Sequence, residues 1–280
     1  MMNHVKTALL LVILSVILIW VGGFIGGPHG ALTAFFIALI INAISFWFSD
    51  RIVRAMYRAK ELPRDRFPGI YGTVEELSRN AGIPCPGVYI IQTAMPNAFA
   101  TGRSPKNAAL CLTKGIMDML DEEELKGVIS HELAHVRNRD TLIMTVTAAL
   151  ASAVMMLGYM ARWGALIGGM SRDRRGSGNI IGLLAISILA PLAAFLVQLA
   201  ISRSREYEAD AAGAKIAGDP RGLARALEDM SRSSERAGFN AAPQTAHLFV
   251  VSPLRGGMIA GLFSTHPPVE ERVRRLRSMV

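Results

Sequence analysis

Two runs without a charged residue, Thr7–Gly27 and Ala31–Phe48, stand almost end to end, separated only by Pro28-His29-Gly30. Each is about long enough to cross ~30 Å of hydrocarbon as a helix, the one open-chain conformation that satisfies every backbone N–H and C=O without water. The first run is long for a signal-peptide core and lacks an obvious small-x-small cleavage site, so the pair reads as an uncleaved anchor hairpin. Hydrophobic residues make up 51% of the 280-residue chain, and the mean hydropathy is +0.33. The excess sits in segments rather than being spread as in an ordinary soluble domain. Leu142–Met160 and Ile180–Ile201 are two further apolar stretches, around the Arg/Gly/Ser loop Ser171–Gly178. The expectation is four spans. The alternative for the last two is packing near the membrane surface, with Pro191 kinking the second.

The net charge of +8 fits this topology. Arg51, Arg54, Arg58 and Lys60 follow the second run at once, while the turn before it has no formal charge. The positive-inside tendency then puts the N-terminus and everything just after Phe48 in the cytoplasm. Arg172, Arg174 and Arg175 in the later loop run against the same tendency. The basic residues are scattered and match no nucleic-acid motif, so no nucleic-acid partner is expected. Cys85 and Cys111 form no C-x-x-C pair and read as reduced, small hydrophobes. Trp47 and Trp163 read as interfacial anchors.

Composition divides the chain into an anchor hairpin (1–50), a first polar part (51–140), a second hydrophobic hairpin (141–202) and a second polar part (203–280). In the first polar part, Thr73 and Glu76 suggest a capping box opening a helix to about Ala81. Val88–Ile91, Ala98–Thr101 and Ala109–Leu112 suggest strands. Asp121 with Glu124 suggests a second capping box, opening the helix that carries His131-Glu132-Leu133-Ala134-His135. Helices are also expected over Glu206–Ala217, from Asp219-Pro220 to about Met230, and over Pro268–Met279.

The run from His131 to His135 is an H-E-x-x-H sequence. Four residues of helix turn about 400°, so both imidazoles share one face, a turn apart, as two ligands of one tetrahedral Zn²⁺ require. Glu132 is placed to take a proton from a water at the metal. On its own this pattern recurs by chance, and two incidental histidines on a solvated helix are the plain alternative. Glu206 and Asp210 raise the odds. They lie one turn apart, so Glu206 can complete a His₂Glu set while Asp210 accepts an N–H from a ligating imidazole. The plain alternative for Glu206 is a surface carboxylate paired with Arg203 or Arg205, and Glu208 is a rival third ligand.

With these residues in place, the chain resembles the HtpX-type membrane metalloproteases of peptidase family M48, related to the CAAX-processing Ste24 proteases. The resemblance covers almost the full length. It rests on the anchor hairpin, on Pro96-Asn97-Ala98-Phe99-Ala100, on the run His131 to Asp140, on the second hairpin, on Ser204-Arg205-Glu206-Tyr207-Glu208-Ala209-Asp210 and on Ser264-Thr265-His266-Pro267-Pro268. Its E-x-x-x-D pattern makes Glu206, not Glu208, the implied ligand. It implies that His266 and Arg272 lie beside the active site as oxyanion donors; a capping His and a surface Arg are the alternatives. It also supports Asn97, Ala98 and Phe99 as an edge strand that binds substrate, rather than a turn with Phe99 in the core. Asn138 and Asp140 read as outer support for the ligands or, more simply, as a helix C-terminal cap.

The expected fold is therefore a mainly α membrane protein with a small α+β zincin-like (gluzincin) catalytic domain, two N-terminal transmembrane helices and a second hydrophobic hairpin. The expected function is a zinc endopeptidase, one Zn²⁺ per subunit, on the cytoplasmic side of a bacterial inner membrane. Its expected partners are the lipid bilayer and polypeptides, in particular misfolded or surplus membrane proteins. The rivals are a CAAX-type processing protease and a zinc-stabilised scaffold or chaperone without turnover.

Overall fold

The computed structural model describes residues 2–168, 191, 203–237, 248–250 and 267–279. The loop Ser171–Gly178, the run Ile180–Ile201 apart from Pro191, and His266 lie outside the described residues.

Helix α1 runs over Met2–Met56 and doubles back on itself at Gly27-Pro28, giving two arms. Gly27 adopts a left-handed φ of 59°, and Pro28 follows it without an N–H to donate. The Asn42 amide donates to the Leu11 carbonyl and to the Ser15 hydroxyl, 31 and 27 residues away. In a straight helix those groups would stand about 40 Å apart. The arm Gly27–Met56 is long and apolar enough to cross a membrane, whereas the first arm offers only the shorter apolar stretch Thr7–Trp20. Trp20, Phe36, Ile40 and Trp47 are each more than half exposed, an amount of bare apolar surface that water disfavours.

Helix α1 leads into a four-stranded sheet of order β1-β2-β4-β3. Its strands are β1 (Lys60–Glu61), β2 (Gly87–Ile91), β3 (Ala98–Thr101) and β4 (Ala109–Thr113). Strands β2 and β4 run parallel, and the outer two pair antiparallel. Strand β3 is an edge. Helix α2 (Pro68–Ala81) starts a turn and a half before the expected capping box. Pro68 presets the helical φ at the first position and lacks the N–H that would otherwise be orphaned, so it opens the helix and leaves Thr73 and Glu76 in its interior. A short helix α3 (Lys114–Met119) is capped by the Thr113 hydroxyl, which accepts from Ile116 N–H.

Helix α4 (Glu122–Asn138) begins with the expected reciprocal box: Asp121 accepts from Glu124 N–H, and Glu124 accepts from Asp121 N–H. It ends at Arg139, whose left-handed φ of 60° turns the chain through 91° into α5 (Asp140–Gly168). Helices α6 (Arg203–Ala217), α7 (Arg221–Ala237) and α8 (Val269–Arg277) complete the described chain.

The main core packs α2, the sheet, α6, α7 and α8 around α4, through Val74, Leu112, Val128, Leu133, Leu227 and Leu276 among others. A second cluster joins α1 to α5 through Leu10, Leu14, Leu142, Val146 and Leu150. The fold is thus mostly helical with one small sheet. Of the expected second hydrophobic hairpin, only the first apolar stretch, within α5, and Pro191 lie among the described residues.

Candidate metal centre and catalytic site

Helix α4 lies in the middle of the core, so the face carrying the H-E-x-x-H run is enclosed: His131, Glu132 and His135 are all buried. The two imidazoles stand nearly perpendicular, with centroids 4.7 Å apart. Helix α6 crosses α4 with Glu206, Ala209, Asp210 and Gly213 on its contact face, the i, i+3, i+4, i+7 spacing of one helix stripe. The two helices come close at Gly213, where an added Cβ would sit 2.9 Å from His131 Cα and 3.0 Å from its N. Only glycine allows that approach, and the approach carries Glu206 to the histidines.

Glu206 Oε2 lies 3.9 Å from His131 Nε2, and its Oε1 lies 3.6 Å from His135 Nε2. One ligand atom from each of the three residues falls within 4.8 Å of the others. In a tetrahedral zinc site with bonds of about 2.0–2.1 Å, neighbouring ligand atoms stand roughly 3.3 Å apart. The three ligand atoms lie further apart than that, so the His₂Glu set fits a metal ion once they draw in, and a three-ligand set leaves a fourth position for solvent or substrate. Glu208, two residues on, points to the exposed side of α6.

Each imidazole turns its other nitrogen to its own carboxylate. His135 Nδ1 is hydrogen-bonded to Asp140 Oδ2 at 3.1 Å. His131 Nδ1 lies 3.0 Å from Asp210 Oδ1, close, though off the direction of a well-formed hydrogen bond. Such carboxylates fix the tautomer and ring angle of a ligating histidine. Asp140 can reach back because Arg139, not Asp140, forms the cap and bends the chain. Asn138 is exposed.

Arg272 is placed differently from the oxyanion role expected of it. Its guanidinium is fully buried, with Nε and Nη2 donating to Asp210 at 2.9 and 2.7 Å and Nη1 donating to the Val250 carbonyl at 2.9 Å. Nη2 also lies 3.4 Å from His131 Nε2. Val250 N–H in turn donates to Asn97 Oδ1 at 3.2 Å. The Asn97 side chain is thereby engaged within the protein. A continuous set of contacts runs Asn97, Val250, Arg272, Asp210, His131.

Strand β3 borders the site. Asn97 N–H donates to Thr113 Oγ1, and Thr113 N–H donates to the Asn97 carbonyl, so residues 97, 99 and 101 face β4 with their backbone groups. Ala98 and Ala100 face away, along the open edge. Ala100 N–H donates to Glu132 Oε2 at 2.8 Å. The Phe99 side chain is in the core after all, against Tyr57 at 5.3 Å between centroids, with Val53, Cys111 and Leu248 in the same cluster.

Burial pushes the Glu132 carboxyl up, against the downward pull of His131, His135 and the Ala100 N–H. Burial would lower His135, but the Asp140 hydrogen bond and the Glu206 and Glu132 carboxylates outweigh it and raise it to about 9 in the absence of a cation. Burial would raise Asp210, yet the Arg272 guanidinium holds it well below the usual carboxylate range.

Ala100 enters the sequence expectations only as the end of the Pro96–Ala100 run, without the contact to Glu132, and Val250 and Gly213 do not enter them. Gly213 alone had a readable signal: it lies seven residues after Glu206, on the same helical stripe.

A model of the family described as Peptidase family M48 matches residues 64–280. The chain is 52% identical to "Protease HtpX homolog" of Syntrophobacter fumaroxidans over 280 residues, covering 99% of each. Relatives under the same name from Persephonella marina and Thermococcus kodakarensis are 49% and 48% identical, with 98% and 95% of their lengths covered. Among solved structures the fold is similar to that of the crystal structure of S. mikatae Ste24p, with a TM-score of 0.52 and 17% identity. That match takes in 98% of this chain but only 65% of the other, and at this identity the likeness is one of fold.

Proposed function

The chain belongs to peptidase family M48, and from that premise we propose that it is a zinc endopeptidase anchored in a bacterial inner membrane, cutting misfolded or surplus membrane proteins on the cytoplasmic side. One observation carries the catalytic part of this reading: two helices bring His131, His135 and Glu206 to one point, with Glu132 beside it. The membrane part is supported by the bare apolar surface of α1 and by the basic residues that follow it. The substrate class comes from family resemblance and location. Residues 51–140 and 203–280 together make up the catalytic portion.

In this mechanism His131, His135 and Glu206 hold the ion, and Asp210 and Asp140 orient the two imidazoles. When bound, zinc supplies Lewis acidity, acidifying a water and polarising the scissile carbonyl. Glu132 is the general base. The Ala100 N–H fixes one of its oxygens and leaves the other to accept the proton of the attacking water. Glu132 then passes that proton to the departing amine. Substrate backbone pairs with the outward N–H and C=O of Ala98 and with the Ala100 carbonyl along β3, by strand addition. Asn97 supports that strand through Val250, and Phe99 pins it to the core. Arg272 acts through Asp210 as a positioning residue. By resemblance, His266 supplies a donor to the developing oxyanion.

The test is Glu132→Gln in the full-length protein. The variant should keep one zinc per chain by elemental analysis and lose cleavage of an unfolded protein substrate by about 10³-fold or more, the scale of a lost base. Full activity in the variant would remove Glu132 from this role.

A further inference from the structure

Where the apolar arm of α1 ends, a recess of about 410 Å³ opens between the helix and the loop after β3, lined by Trp47, Phe48, Asp50, Arg51, Arg103 and Asn107. The Arg103 guanidinium lies over the Trp47 indole at 4.8 Å, and that of Arg51 lies over the Phe48 ring at 5.5 Å. Stacking covers a guanidinium face and leaves its N–H edge free to donate. Asp50, the carboxylate in the lining, is paired with Arg54 at 2.9 Å. Among the described residues, no carboxylate lies within ion-pair distance of Arg51 or Arg103. Two cations lining one recess, each without an ion-pair partner among the described residues and with a donor edge free, match the chemistry of a phosphate group.

We propose that this recess binds the phosphate headgroup of an anionic phospholipid. It rests on the membrane part of the reading above, not on peptide cleavage. A lipid is favoured over free phosphate because bare apolar surface runs from the recess along the same arm. Ile44, Trp47 and Phe48 are 47%, 58% and 45% exposed, giving acyl chains a place to lie. Trp47 sits where an indole marks a membrane–water boundary. The consequence reaches the catalytic portion. Arg103 is two residues past β3, and Gly102 N–H between them donates to Thr145 of α5 at 3.2 Å. A headgroup held by both arginines ties the end of the substrate strand to the membrane helix.

The experiment is native mass spectrometry of the delipidated full-length protein in detergent, titrated with phosphatidylglycerol or phosphatidylcholine of matched chains. The parent should retain phosphatidylglycerol preferentially. Arg51→Gln and Arg103→Gln should each lower that preference about fivefold, and together should abolish it, while Arg58→Gln, in the turn just past the end of the same helix, leaves it intact. Undiminished preference in the double variant, or an equal loss in Arg58→Gln, would overturn the site in favour of diffuse surface charge. Displacement of the lipid by millimolar inorganic phosphate would overturn the lipid assignment. Lipid retention does not depend on turnover, so failure of the protease reading would not disturb it. Failure of the membrane reading would appear separately, as retention of neither lipid.

Discussion

A side chain with no access to water must place its N–H groups on protein acceptors. Arg272 does so with a fork: two parallel donors on Asp210 and a third on the Val250 carbonyl. Lysine, with one nitrogen, cannot reproduce that geometry. The pair keeps Asp210 ionised against the burial that would neutralise it, and Asp210 faces His131 Nδ1. Removing the guanidinium alone would leave a buried carboxylate unpaired beside a metal ligand, at a cost of about 3–5 kcal/mol. Arg272→Met is therefore expected to lower the unfolding temperature markedly and to weaken zinc retention, with Arg272→Lys recovering only part of either. The pertinent measurements are thermal unfolding with and without added zinc, and competition with a chelator. Parent-like values for Arg272→Met in both would dismiss the support role. Asp140 argues the same point from the other histidine. Its position after an H-E-x-x-H helix suggests a cap, and only the left-handed Arg139 reveals it as the partner of His135.

Helix α6 is the element on which the site depends, and small residues set its distance from α4. Ala209 is fully buried, and Gly213 meets the His131 backbone directly. Gly213→Ala would place a methyl group at 2.9 Å from His131 Cα, so the helices must separate. Overpacking of this kind costs typically about 1–3 kcal/mol, and here the displacement falls on Glu206. The expected result is a variant that still folds but holds zinc more weakly. Chelator competition would show it, and zinc affinity equal to the parent would refute the spacing argument. What could be read in advance follows from the range of the forces involved. The α4 capping box, β3 and the histidine face are local, set within a few residues, and their signals lie in the sequence. The start of α2 differs from the expected one because two local signals compete there and Pro68 prevails over Thr73. The two-residue β1 has no pattern of its own; it is held by Tyr89 and Ile90 on β2. The contact between Asn97 and Val250 spans 153 residues, beyond any periodicity argument.

At the scale of the molecule, the membrane arm and the catalytic sheet meet in one apolar cluster. Val53 of α1 and Tyr57, just past its end, pack with Ile91, Phe99 and Cys111 of the sheet, Ala148 of α5 and Leu248. Cys111 lies inside it, fully buried, so the junction can be probed by protons. Burial pushes the Cys111 thiol up from its ordinary value near 9 to about 12, with the Arg54 guanidinium opposing weakly. Unfolding exposes the thiol and lets it ionise near 9. The native state thus binds this proton more tightly, and the stability it contributes is whole below pH 9 and lost as pH rises from 9 toward 12. The expected slope from this one group approaches about 1.4 kcal/mol per pH unit over that window. Cys111→Ala removes the slope and leaves a small cavity, so the variant should be less stable at pH 7 and the gap should narrow above pH 9. Denaturant unfolding of both proteins in detergent from pH 7 to 10.5 would measure this, the other alkaline-titrating groups cancelling in the difference. Curves that stay parallel throughout would mean that the thiol is already reached by solvent in the native state. The sheet and the membrane arm would then not be sealed together at this cluster.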